Sequence, residues 1–300
     1  MKAQQAYHFA LGFRSSLRGS LQLTTLSDGY FETSLADVIR NLPIEQADAL
    51  QKRAHRGTPT RINHNMYLVQ RPGERPTLID AGMGGNWGPT MGHLPLALAS
   101  LGLSPQDIGT VLLTHLHPDH SAGLIDLRGE ALFPEAEIVI HEKEAAFWLD
   151  DANVAHATPG QEEWFDGARR AIAPYRGRTR LISTGEVVPG LTAVPLPGHT
   201  PGHTGYRLDD GSQSVLIWGD IVHLPQIQLP QPRAGVVFDV DIHEAAQTRI
   251  RIFDQAAADG MAIAGMHTEF PGVGYIERDR TGYRFVSELW LPRLPPAWPI

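Results

Sequence analysis

Thr114-His115-Leu116-His117-Pro118-Asp119-His120 is the stretch on which the reading of this chain turns. It sets three imidazoles and a carboxylate in six residues, directly after the apolar run Val111-Leu112-Leu113. A short apolar run bounded by polar residues reads as a buried strand, so the histidines fan out at the strand's carboxyl end. Residues two apart in extended chain point to the same side, which pairs His115 with His117. Asp119 and His120 follow the bend at Pro118 and can converge on a neighbouring point. Two adjacent sets of nitrogen and oxygen donors suit a pair of borderline divalent cations. A solvated loop whose histidines merely cap backbone groups accounts less well for that density.

Three further strand endings carry ligand-type residues. Pro197-Gly198-His199-Thr200-Pro201-Gly202-His203 follows the run Leu191–Leu196, Asp220 follows Val215–Trp218 through Gly219, and His267 follows Met261–Ala264. One histidine past a strand is ordinarily structural; three such endings beside the dense cluster point to ligands. Around them, short β-branched runs alternate with helical stretches. The pattern predicts strands at Met66–Gln70, Thr77–Ala81, Thr110–Thr114, Glu137–Ile140, Leu181–Ser183 and Gly205–Leu208, and a terminal hairpin at Tyr275–Val286. It predicts helices at Ile44–Ala54, Leu94–Leu101, Glu142–Leu149 and His243–Ala258. The four prolines of Pro292–Ile300 read as an extended surface strap. With no linker between the halves, the expectation is one layered α/β domain over 1–300, residues 1–60 being an N-terminal extension.

Composition narrows the function. The 300 residues are 42% hydrophobic and 19% charged, ample for a core and unlike a disordered chain. A net charge of −8 leaves no electrostatic footprint for nucleic acid. Cysteine is absent, which removes disulfides, thiolate metal sites and thiol nucleophiles together. No apolar run approaches a membrane span, and the start carries no leader pattern. The expectation is a cytoplasmic protein, or a periplasmic one if the chain is a processed form, with no nucleic-acid or membrane partner. Other catalytic patterns fail on inspection. Gly82-Met83-Gly84 lacks the third glycine of a dinucleotide loop, where Trp87 stands. His141-Glu142 and His243-Glu244 begin a zincin motif, but Ala145 and Gln247 occupy the second histidine's place. No Gly-x-Ser-x-Gly elbow is present.

The four motifs in order, His-x-His-x-Asp-His at 115–120, Gly-His-Thr-Pro-Gly-His at 198–203, Gly-Asp at 219–220 and Gly-x-His at 265–267, resemble the metallo-β-lactamase-fold metallohydrolases over about residues 60 to 270. With Phe147-Trp148-Leu149-Asp150 and Trp218-Gly219-Asp220-Ile221, the chain resembles the branch of methyl-parathion-hydrolase-like phosphotriesterases and lactonases. That resemblance implies an αββα sandwich: two facing mixed sheets, helices outside, metals at one edge. It implies two divalent ions, zinc first among zinc, cobalt, manganese and iron, and a homodimer to which the N-terminal segment contributes. His115, His117 and His199 would hold one ion, Asp119, His120 and His267 the other, with Asp220 between them. Asp80 and His203 would orient the cluster without touching metal.

The same resemblance implies a hydroxide shared by the two ions attacking a small, neutral, ester-like substrate, with Asp119 passing a proton to the leaving group. A lactone of the acyl-homoserine type stands first and an aryl phosphotriester second. Phe147, Trp148 and His223 are the expected substrate-lining residues; His223 occupies the place of a tyrosine in the lactonase branch. The alternatives are a thioester hydrolase of glyoxalase-II type, whose basic glutathione site is not visible among Arg278, Arg280 and Arg284, and a mononuclear iron sulfur dioxygenase.

Overall fold

Alternating apolar residues in the short runs decide the layering. The computed structural model describes residues 11–14, 21–155, 157, 159–209 and 214–289, so the strap expected at Pro292–Ile300 lies outside the described residues. The first seven-stranded sheet runs in chain order: β1 (Leu11–Arg14), β2 (Gln22–Thr33), β3 (Thr60–Gln70), β4 (Thr77–Ile79), β5 (Thr110–Leu112), β6 (Glu137–His141) and β7 (Thr179–Ile182). Its β4, β5, β6 and β7 are mutually parallel, and the rest antiparallel. The second, also of seven strands, holds β8 (Gly185–Val188), β9 (Leu191–Pro195), β10 (Thr204–Asp209), β11 (Ser214–Ile217), β12 (Ala262–Ala264), β13 (Val273–Asp279) and β14 (Gly282–Ser287), again in chain order. Only the β11–β12 pair is parallel there.

Within each central strand, neighbours divide between two buried faces, as the period of two requires. Ile79, Leu112 and Val139 turn inward against Tyr206, Ile217 and Ala264 of the other sheet. Leu78, Val111, Ile138 and Ile140 turn outward to a layer containing α2 (Leu94–Ser100), α4 (Glu142–Trp148) and α5 (Pro159–Ile172). Leu216 and Ile263 face α6 (Ile242–Asp259) through Ile252, Phe253 and Ala256. α1 (Ile44–Arg53) packs on a smaller cluster that includes Val38, Ile62 and Ile227. The result is the expected αββα sandwich.

The parallel strands place the chemistry. β4 and β5 end side by side, and the chain beyond β4 is tied to the histidine loop by Asp80 N–H to Leu112 O (2.9 Å) and Ala81 N–H to His120 O (2.8 Å). Asp80 sits at φ 62°, in the left-handed region that aspartate tolerates better than most residues. The start of α3 (Pro118–Ser121) carries Asp119 and His120, with Pro118 at a position that needs no N–H. Two departures from the sequence reading matter. β3 begins at Thr60 rather than Met66, because Arg61, Asn63, His64 and Asn65 interrupt the apolar alternation. β2, from the segment expected as an extension, pairs along its whole length with β3 around a bulge at Ser27/Gly29.

That bulge carries a buried carboxyl. Asp28 accepts the N–H of Met83 at 2.8 Å and of Leu94 at 3.0 Å, anchoring the loop between β4 and α2. Burial outweighs these bonds and pushes the group up to about 6. The native state therefore binds this proton more tightly than the unfolded chain does. The contribution is present below about pH 4 and lost as pH rises through about 6. In urea titrations, wild type should lose stability relative to Asp28→Asn across that interval, by up to about 3 kcal/mol; a pH-independent difference would contradict this assignment.

Candidate metal centre

Seven side chains from four segments of chain meet at the edge where the parallel strands end. His115 Nε2, His117 Nδ1 and His199 Nε2 form a first cluster, separated by 3.0, 3.0 and 3.2 Å. Asp119 Oδ2 lies 3.3 Å from His120 Nε2 and 3.6 Å from His267 Nε2 in a second. Asp220 adjoins both: Oδ1 is 3.2 Å from His120 Nε2, and Oδ2 is 3.0 Å from His267 Nε2 and 3.3 Å from His199 Nε2. Ligands at about 2.0–2.1 Å on a tetrahedral ion stand roughly 3.3 Å apart, so these spacings match the edges of two coordination shells.

The outer ring nitrogens settle the tautomers. His199 Nδ1 faces Asp239 Oδ1 at 2.8 Å, His120 Nδ1 faces Asp80 Oδ2 at 2.7 Å, and His267 Nδ1 faces the Asn63 carbonyl at 2.7 Å. Each partner only accepts, so each of those nitrogens donates and, in the neutral ring, leaves Nε2 bare. Thr114 Oγ1 gives its proton to Asp80 and so accepts from His115 Nδ1 at 3.0 Å, which bares that Nε2 as well. Bare lone pairs at 3.0–3.3 Å from one another and from carboxylates repel unless positive charge stands between them. His120 Nε2 and Asp220 Oδ1 are in addition buried without any hydrogen-bond partner. The donor set therefore fits two divalent cations. Burial would keep these imidazoles neutral, and it holds His115 and His117 low; the carboxylates outweigh it at His120 and His267, and raise His199 to about 9. Asp119 and Asp220 are held low by their imidazole neighbours despite burial.

His203 stands outside both clusters. Its Nδ1 donates to Leu196 O at 2.8 Å and its Nε2 accepts the N–H of Asp220 at 2.9 Å, fixing the backbone of the shared carboxylate. Gly219 makes room for this: at φ 58°, a Cβ there would sit 2.3 Å from His203 Nε2. Asp80 accepts from Thr114 and His120, as an orienting residue would. His223 enters the centre, Nε2 lying 3.1 Å from Asp220 Oδ2. Trp148 is buried in the helix-side core, its indole N–H given to Glu144 at 2.6 Å, and Phe147 packs on the same core. Trp148 nevertheless reaches the centre from the core side, its ring 5.3 Å from that of His117.

Sequence reasoning missed three other aromatic residues at the centre. Half-buried Phe31, Trp164 and Phe238 lie against His64, His117 and His223, at ring separations of 5.5, 5.1 and 5.7 Å. Phe238 bridges the other two at 6.3 and 6.2 Å. His64, with Nδ1 3.3 Å from Asp119 Oδ2, was also missed. So was Asp239, whose other oxygen lies 3.9 Å from buried Arg249. These residues carry no local motif, and the signal available was weak: an isolated polar residue in a strand, and an acidic residue before a long helix.

Comparison with known proteins agrees with the fold. The family model for the metallo-beta-lactamase superfamily matches residues 59–264, and the chain belongs to that superfamily. It is similar to an acyl-coenzyme A thioesterase, MBLAC2, of Gallus gallus, 32% identical over 53% of this chain and 57% of the relative. It is also similar to the N-acyl homoserine lactonase AiiB of Agrobacterium fabrum, 28% identical over 55% of this chain and 59% of the relative. The chain thus spans less than two thirds of these curated relatives. Among solved structures, the hydrolase AbOPH of the beta lactamase superfamily superposes with a TM-score of 0.87 at 29% identity, covering 95% of this chain and all of that one.

The centre makes a simple numerical prediction. Elemental analysis should find two equivalents of divalent metal in wild type and one in either His117→Ala or His267→Ala. A single variant that loses both would show that the clusters do not fill separately.

Proposed function

We propose that the protein is a hydrolase dependent on two metal ions, zinc by the nitrogen and carboxylate donor set, acting first on lactones of the acyl-homoserine type. One observation carries the reading: two donor clusters adjoin Asp220 and are bordered by half-buried aromatic rings. Two divalent ions held there would polarise the ester carbonyl and activate water at neutral pH. Phe31, Trp164 and Phe238 would receive an acyl chain or an aryl group and exclude water around it. His223, with a proton on Nε2, would donate to a substrate oxygen entering beside Asp220. Asp119 is the one member of the two clusters with appreciable exposure, its side chain 18% accessible, so its carboxylate can take a proton and deliver it to the leaving group.

Charge supports a neutral substrate. Arg249 is buried and committed to the carbonyls of Ile221, Pro232 and Ala234, so it offers nothing to a phosphate. Arg278 and Arg284 of the terminal hairpin pair with Asp254 and Glu277, which commits two of its three arginines to local partners and argues against a basic platform for an anionic thiol. The thioesterase relative nevertheless makes a thioester the second substrate to try, beside an aryl phosphotriester. A homodimer that uses the N-terminal segment, in the cytoplasm, completes the proposal. Among the described residues no helix is long and apolar enough to cross a membrane.

The decisive measurement is kcat/KM of the metal-loaded protein on an acyl-homoserine lactone, an aryl phosphotriester and an acyl thioester side by side. A lactone preference of about a hundredfold, or about 2.7 kcal/mol, is expected; a preference of that size for either rival overturns the assignment. Asp119→Asn should lower kcat on the preferred substrate by about a hundredfold while both metal equivalents remain. Full turnover with both equivalents bound would remove Asp119 from proton transfer.

A further inference from the structure

Glu144 is a wholly buried carboxylate that the proposed chemistry does not use. It lies on α4, in the near-zincin stretch His141–Ala145, and its two oxygens take four donors. Oε1 accepts from Leu116 N–H at 2.9 Å and Trp148 Nε1–H at 2.6 Å. Oε2 accepts from Thr200 Oγ1–H at 2.6 Å and Gly202 N–H at 3.1 Å. Leu116 stands between His115 and His117, and Thr200 directly follows His199. Trp148 lays its ring 5.3 Å from that of His117, at 71°. One side chain therefore clamps both loops that supply the first cluster. The clamp is tight: a Cβ on Gly202 would meet Glu144 N at 2.2 Å. None of the four donors belongs to Asp119, His120 or His267, the second cluster.

We propose that Glu144 is a positioning residue for the His115, His117 and His199 cluster alone, setting the distance between its two loops and hence its cation affinity. The inference rests on the two-metal reading above. Its chemistry is that of donor and acceptor count. An ionised carboxylate offers only acceptors, which four converging donors require. A glutamine there turns one oxygen into an amide NH2, which must face at least one fixed backbone or indole N–H, leaving a buried donor unmet. The loop holding that donor shifts, and ligand spacing shifts with it.

The test measures cobalt(II) affinity by competition with a chromophoric chelator in two backgrounds. His267→Ala leaves the first cluster intact, and His117→Ala leaves the second. Adding Glu144→Gln should weaken binding about tenfold or more in the first background and less than about twofold in the second, and move the visible cobalt bands only in the first. Thr200→Val, which removes a single donor, should act in the same direction to a smaller extent, and decides the matter if the glutamine variant does not fold. Equal weakening in both backgrounds, or none in either, would overturn the proposal. A wild type that binds fewer than two equivalents would instead count against the two-metal reading, and the first-background comparison would still decide the role of Glu144.

Discussion

Asp220 has five imidazole nitrogens within 3.7 Å, from His115, His120, His199, His223 and His267. Four of those rings have committed their outer nitrogen as a donor, so in the neutral state they turn lone pairs toward a carboxylate in a buried space. Charge of that sign cannot be packed together without water unless cations or protons are interposed. Every other feature of the centre answers to this condition. Asp80 and Asp239 present oxygens behind the imidazoles rather than in front of them, and the carbonyl of Asn63 does the same for His267. The outer partners thus dictate which ring nitrogen is bare, and the bare nitrogens dictate where positive charge must lie.

The sandwich makes such a concentration affordable by keeping it at one rim. The parallel strands β4 and β5, and β11 and β12 in the facing sheet, end at the same edge, and each surrenders its chain to a loop carrying residues of the two clusters or their hydrogen-bond partners. Inside the rim, the strands bury apolar residues on both faces. A network of buried hydrogen bonds then replaces packing where the loops depart from regular structure. Arg249 extends this behind His199, linking α6 to Asp239 and to the carbonyl of Ile221, next to the shared carboxylate.

What could be read from the sequence followed from locality. The clustered histidine and aspartate motifs stood out because each lies within a few residues of a short apolar run whose end it marks; the sandwich was visible through the resemblance those motifs carry. The strand over Thr60–Gln70 was only half legible, since its first residues face a polar centre and break the alternation used to find strands. α5 was not found, although it supplies Trp164 and Phe165. Trp148, expected at the substrate, is buried in the core with its ring against that of His117, a double position that an aromatic residue on an amphipathic helix does not reveal locally. Glu144 was hidden by the opposite prior, that a glutamate on a helix is solvated; only the convergence of Leu116, Thr200 and Gly202 in space reverses it.

The aromatic border also bears on how such a centre can change over time. Phe31 and Trp164 come from β2 and α5, which carry none of the seven clustered residues, so on the two-metal reading these two walls could be rewritten without touching either cluster. Phe238 is different. Its neighbour Asp239 orients His199, and the next residue, Val240, gives its N–H to the His199 carbonyl at 2.9 Å. A substitution that enlarges or reshapes that side of the mouth therefore acts on a ligand as well as on the space beside it. New specificities should accumulate first on the two independent walls, the third being constrained by the hold of Asp239 and Val240 on His199.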